Sequence, residues 1–222
     1  GLYIRESKRQ GPSGTRQASR GFTVRNSGFQ FNARQGLSVI QLRRGLFENC
    51  DFSYTGFVDA AGSKGAYGAH SPSAGVDVEP NSTPEFGDRV DVLTGEILFR
   101  NCRMCGNYGA AFLAGKYARG HAFLERVRLE SCHLQCNEGE SGGRDGFIFD
   151  VPGGEVVDCT LQMVDKIAYL GWYPMSEASP RFAGNSVSGR NPKANYPVFE
   201  VRRTRGAPLV ESNQFAGEQQ QP

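Results

Sequence analysis

Apolar and polar positions fall into one short motif that recurs seven times along the chain: apolar, any residue, Asn/Ser/Asp/Gly, Cys/Asn/Ser, any residue, apolar. The copies are Val24–Phe29, Phe47–Phe52, Phe99–Met104, Leu129–Leu134, Val156–Leu161, Phe182–Val187 and Val210–Phe215. The fourth position falls at 27, 50, 102, 132, 159, 185 and 213. Most intervals are therefore 23 to 30 residues, with one of 52 that reads as a coil carrying a large insertion. Self-similarity at such a period signals a solenoid, in which each repeat buries its apolar face only against its neighbours. The motif is short, rich in β-branched and aromatic residues and punctuated by Gly and Asn, so its unit is a coil of β-strands. The expected fold is all-β, a parallel β-helix of six to seven coils with long loops.

A second strand precedes most copies, at 36–40, 75–79, 109–113, 146–150, 167–170 and 198–201. Successive side chains on a strand point to opposite faces. Aligned on their leading glycines, four of these strands put Leu37, Val76, Ala110 and Phe147 in one inward column. Val39, Val78, Phe112 and Phe149 form a second. Ser38, Asp77, Ala111 and Ile148 then face outward, as do Ile40, Glu79, Leu113 and Asp150.

Asp77 and Glu79 thus leave one face, about 6.5 to 7 Å apart at the rise of a strand. Asp150 falls in the column of Glu79 two coils further on, at about 10 Å by inter-strand spacing. Paired carboxyls at roughly 5 to 9.5 Å are the machinery of glycoside hydrolysis. Mutual repulsion raises one pKa and leaves an acid beside a base. Asp77, Glu79 and Asp150 are the candidate catalytic residues; the plain alternative is three solvated acids. The stretch 114–125 carries Lys116, Tyr117, Arg119 and His121, which would suit a lyase or epimerase acting on a uronic-acid polymer. Tyr169, Trp172 and Tyr173 form an aromatic cluster suited to stacking on sugars. The candidate substrate-binding set is Lys116, Tyr117, His121, Tyr169, Trp172 and Tyr173.

One repeating pattern across most of the 222 residues argues for a single domain, 1–222, with an irregular first coil over 1–20 and a disordered tail over 217–222. The opening Gly-Leu-Tyr-Ile is mid-strand in character and reads as a piece of a longer chain. Gly makes up 29 of 222 residues, nearly twice its usual share of about 7%, as many tight turns require. Nine basic residues against one acid occupy 1–44, while six acids against one Arg occupy 75–98. The basic end reads as a solvated edge or docking surface, and no nucleic-acid partner is expected. No apolar run approaches the roughly 20 residues of a membrane span.

Four of the six cysteines, Cys50, Cys102, Cys132 and Cys159, share one slot of the repeat, which Ser27, Asn185 and Asn213 fill elsewhere. Equivalent residues would stack about 4.8 Å apart, a direction and spacing ill-suited to disulfides. The slot reads as an internal ladder of free thiols and small polar groups, formed in a reducing compartment. No metal or other cofactor is expected.

The strand Gly75-Val-Asp-Val-Glu-Pro-Asn81, followed by Ile97–Met104 and Asn107-Tyr-Gly-Ala110, resembles the pectate-lyase-like right-handed β-helix superfamily. It is most similar to the β-helix bodies of bacteriophage tailspikes and polysaccharide depolymerases. The resemblance implies a right-handed helix, a homotrimer, and a virion-tail or extracellular protein folded in a reducing cytoplasm. It also implies binding and hydrolysis of a bacterial surface polysaccharide by outward Asp/Glu, which map onto Asp77, Glu79 and Asp150. A non-catalytic glycan-binding or structural segment and a uronan lyase or epimerase are the alternatives.

Overall fold

The computed structural model describes residues 1–4, 19–57, 73–79, 94–115, 124–136, 145–164, 167–170, 180–190, 198–201 and 209–217. Among these, every regular element is a strand. The chain begins with β1 (Leu2–Ile4), β2 (Ser19–Arg25), β3 (Gln35–Val39) and β4 (Leu42–Glu48). Then come β5 (Ala74–Val78), β6 (Thr94–Arg100), β7 (Arg103–Cys105), β8 (Phe112–Ala114), β9 (Leu124–Glu130) and β10 (His133–Cys136). They are followed by β11 (Asp145–Phe149), β12 (Glu155–Val157), β13 (Thr160–Val164), β14 (Ile167–Leu170), β15 (Arg181–Ala183) and β16 (Ser186–Arg190). The last are β17 (Phe199–Val201), β18 (Leu209–Glu211) and β19 (Gln214–Gly217).

These strands form three parallel sheets, ordered β1-β3-β5-β8-β11-β14-β17, β2-β4-β6-β9-β12-β15-β18 and β7-β10-β13-β16-β19. We call them sheets I, II and III. From β5 onward the chain visits I, II and III in turn, and each strand pairs with the third strand after it. In the two earlier repeats, single bridges from Gly28 to Asp51 and from Asp51 to Arg103 stand where sheet III would continue. The Asp51–Arg103 bridge also shows that the 52-residue interval is one repeat with long connections. This all-β arrangement of three parallel sheets is compatible with a solenoid.

The recurring motif is the corner between sheets II and III. Its third residue has positive φ in all seven copies: Asn26 (50°), Asn49 (54°), Asn101 (51°), Ser131 (54°), Asp158 (53°), Gly184 (66°) and Ser212 (54°). Short polar side chains and Gly tolerate this left-handed conformation best, which explains the residue choice. The fourth residue turns inward and builds the expected ladder. Cys102 Sγ donates to Phe47 O (3.3 Å), Cys132 Sγ to Phe99 O (3.4 Å) and Asn185 Nδ2 to Val156 O (2.9 Å). Backbone N–H groups answer in the other direction, from Cys159 to Asn185 Oδ1 (2.8 Å) and from Asn185 to Asn213 Oδ1 (2.9 Å). All six cysteines are free and buried. Burial pushes the Cys50 thiol up, and the hydrogen bond with Cys132 followed by burial raises Cys102.

Between the sheets lies a continuous apolar core in which aromatic rings stack from repeat to repeat. Phe47 and Phe99 are parallel at 4.9 Å, and Phe99 meets Phe112 edge-on at 5.4 Å. At the last repeat the inner columns end in Val201, Val210 and Phe215, which are 45%, 39% and 55% exposed.

One expected alignment fails. Val76 pairs with Phe112 and Val78 with Ala114, so this strand is shifted by two residues from the glycine-based register. Phe112 joins Leu37, Val76 and Phe147 in the inward column, while Ala110 and Leu113 belong to an outer cluster. Alignment on Gly109 misled because the partner of Gly75 is Ala111. The Val76 N–H bonds Ala111 O, and a Cβ at Gly75 would lie 2.8 Å from that oxygen.

Candidate functional site

The candidate carboxylates stand on the outer face of sheet I. That face differs from the solvated strand surface anticipated from alternation. All five residues of β5 are buried, and so are all three of β8. In register across the outer face run Ser38, Asp77, Leu113, Ile148, Tyr169 and Glu200. Ala74, Ala110, Leu113, Ile148, Ile167 and Tyr169 form a second apolar cluster there.

Asp77 is the group this environment changes most. It is 1% exposed, with Ser38 on one neighbouring strand and Leu113 on the other. Burial first, and repulsion from Glu79 second, push its carboxyl up to about 7; a hydrogen bond from Gln35 and the charge of Arg34 act in the opposite sense. The Gln35 amide Nε2 donates to Asp77 Oδ2 from the start of β3. A side-chain interaction with Glu79 adds to the upward shift of Asp77.

Glu79 lies just past β5, half-buried, and its N–H bonds Val39 O at 2.9 Å. The N–H of Gly115 bonds Val78 O at 3.4 Å, and that of Asp150 bonds Ala114 O at 3.0 Å. Glu79, Gly115 and Asp150 are therefore successive members of one column. Asp150 does fall two strands from Glu79, but the residue between them is Gly115, where the glycine-based alignment put Leu113. No side chain stands between the two carboxylates within their column. Asp150 is 6% exposed. The site thus holds a coupled pair, Asp77 with Glu79, and a third carboxyl across a glycine.

The expected substrate-binding set is only partly visible. Lys116, Tyr117, His121, Trp172 and Tyr173 lie outside the described residues. Tyr169 is described and is 3% exposed within the outer apolar cluster, so it offers no open ring face for stacking on a sugar. Its slot on β14 carries it to the outer face as alternation requires, but the face itself is covered.

A second feature escaped the reading of charge along the chain. An unbroken series of ion pairs crosses the outer face of sheet II: Arg25–Glu48 (2.9 Å), Glu48–Arg100 (3.5 Å), Arg100–Glu130 (3.3 Å) and Glu130–Arg128 (3.0 Å). It continues through Arg128–Glu155 (2.6 Å), Glu155–Arg181 (3.7 Å) and Arg181–Glu211 (2.8 Å). Opposite charges at matching repeat positions were its signal. Nearby, Glu96 accepts from Arg44 at 3.1 Å and also meets Arg43 and Arg126, which holds its carboxyl below the usual range. Arg44, Glu96 and Arg126 all have positive φ, at 63°, 55° and 50°. Part of the basic excess near the start of the chain is thereby neutralised by acids of later repeats.

Among the described residues no cluster of three potential ligands could hold a metal ion, and no helix is long and apolar enough to cross a membrane. No protein-family model, curated protein or solved structure matches this chain.

Proposed function

We propose that the chain is a right-handed parallel β-helix of the tailspike kind that binds a bacterial surface polysaccharide and hydrolyses it. On this reading it works as a homotrimer on a virion tail or outside the cell, after folding in a reducing cytoplasm. The observation that carries the enzymatic part is the column Glu79–Gly115–Asp150 with Asp77 coupled to Glu79. Two inter-strand steps separate Glu79 from Asp150, roughly 10 Å at the backbone. Inward tilt of the side chains would bring this near the roughly 6.5–9.5 Å at which two carboxyls admit a water and invert an anomeric centre.

In that scheme Glu79, ionised beside a protonated Asp77, acts as general base toward water. Asp150 protonates the leaving oxygen. Asp77 does not meet the sugar; neutral because buried, it sets no second negative charge beside Glu79.

A second reading has its own support. Asp77 and Asp150 are almost wholly shielded from solvent, as structural acids would be in a non-catalytic glycan-binding or scaffold segment. A depolymerisation screen against O-antigens, capsules and exopolysaccharides separates the two readings. It should follow new reducing ends together with the ultraviolet absorbance of a new double bond. Reducing ends alone support hydrolysis. Both signals point instead to a lyase, and a folded sample producing neither sinks the enzymatic reading.

A further inference from the structure

We propose that copies of this chain associate head to tail, the last repeat of one docking on the first repeat of the next. Both ends present open strand edges. Among the described residues, β1 and β2 have a neighbouring strand on one side only, as do β17, β18 and β19. The pairing at both ends is parallel. A copy laid beyond the last repeat therefore meets it in the strand direction that the internal repeats already use. Open edges of this kind are templates for further pairing.

The register follows from the repeat itself. Taking Val24–Phe29 as the successor of Val210–Phe215 sets Val210 on Val24 and Phe215 on Phe29. Val210 and Phe215 are exposed, whereas Val24 and Phe29 are half-buried and packed on the core from the opposite end. In sheet I the same step sets Phe199 on Leu2 and Val201 on Ile4, since these residues occupy the same inward columns. The apolar interior would then run on from copy to copy.

Charge selects a second copy as the occupant. Within the ion-pair series, Glu48, Arg100 and Glu155 each meet an opposite charge on both neighbouring strands. The first member, Arg25, meets Glu48 alone, and the last, Glu211, meets Arg181 alone. Their side chains are 58% and 41% exposed. The motif register places Glu211 of one copy beside Arg25 of the next, so the alternation continues across the joint. The internal ladder matches too. The N–H of Cys159 bonds Asn185 Oδ1 and that of Asn185 bonds Asn213 Oδ1; Ser27 Oγ is the acceptor that this register offers to the Asn213 N–H. Unlike ends stacked along one axis do not close, so the product is an open series that lengthens with concentration.

The test is sedimentation velocity of the 222-residue chain over a range of concentrations, for the parent, Arg25→Glu and Glu211→Arg. The parent is expected to grow beyond three copies. Each variant sets like charges across the joint and is expected to associate at least about tenfold more weakly. An equimolar mixture of the two variants is expected to recover the parent's growth, because each then meets its opposite at both ends. A parent that stays monomeric overturns the proposal. So does one that stops at three copies, a result that would instead support the homotrimer proposed above. Variants that grow like the parent, or a mixture no larger than its components, also overturn it. Should a charge variant fail to fold, Phe215→Asp decides. That side chain is largely exposed in the single chain, so growth is expected to vanish while the fold persists, and unchanged growth overturns the proposal.

Discussion

Asp77 on β5 and Glu79 just past its end stand two residues apart, and burial pushes the carboxyl of Asp77, the enclosed member of the pair, up to about 7. Burial is the main cause and the neighbouring carboxylate the second. An acid whose folded pKa is raised binds more protons in the native than in the unfolded state across the interval between its two pKa values. Stability therefore falls as pH rises through that interval.

The Asp77→Asn variant should remove this dependence. Its melting temperature should exceed that of the parent above pH 7 and approach it below about pH 3, where Asp77 is protonated in both states. Calorimetry across about pH 3 to 8 checks this; a constant offset between the two chains would contradict the assignment.

Glu79→Gln and Asp150→Asn should each lower polysaccharide cleavage by about 10²- to 10⁴-fold, the usual range for a removed general acid or base. Glycan binding should persist in both. Measured affinity alongside turnover distinguishes lost chemistry from lost docking.

The internal ladder makes a prediction about stability. Asn185→Ala removes the acceptor of the Cys159 N–H and the donor to Val156 O. Orphaned buried groups of this kind cost about 1–3 kcal/mol each. Urea unfolding should show a loss of that order, whereas Asn213→Ala, at the more open last repeat, should lose less.

The six buried thiols should be inert in the native state. Cys132 is pushed up to about 12, because its contact with Cys159 and its burial outweigh the lowering effect of its hydrogen bond with Cys102. An aromatic disulfide reagent at pH 8 should label none of the six in buffer and all six in denaturant. Rapid native labelling of any ladder cysteine would contradict the stacking described above.

Phe99→Ala should be strongly destabilising. Its ring is fully buried and touches both Phe47 and Phe112 in neighbouring repeats. Loss of about 3–5 kcal/mol is expected from transfer and cavity terms together, read from the denaturation midpoint.

Much of the architecture was legible along the chain because it depends on local rules repeated many times. Asn, Ser, Asp or Gly before the ladder residue marks a left-handed corner, and that requirement is met within the residue itself. Strand alternation likewise separated Val76 and Val78 from Asp77 without any knowledge of neighbours. Alternation could not tell which outer face meets water. The outer positions of sheets I and II are both polar at some strands, yet Asp77 is enclosed while Arg25 stands 58% exposed at the side chain. Register at Gly109 also escaped, because the close approach at Gly75 tolerates an Ala in the next repeat. Pairing is a contest between whole strands, and one glycine does not decide it. The ionisation of Asp77 and the hand of Gln35 in it come from residues 42 positions apart, brought together only when parallel strands pair. The chain by itself determined the repeat, its corners and the inward residues of β3, β5 and β11, since these follow from backbone conformation and side-chain period. Tertiary structure alone decided burial of the outer carboxyls and their coupling, since desolvation and charge repulsion depend on what lies nearby in space.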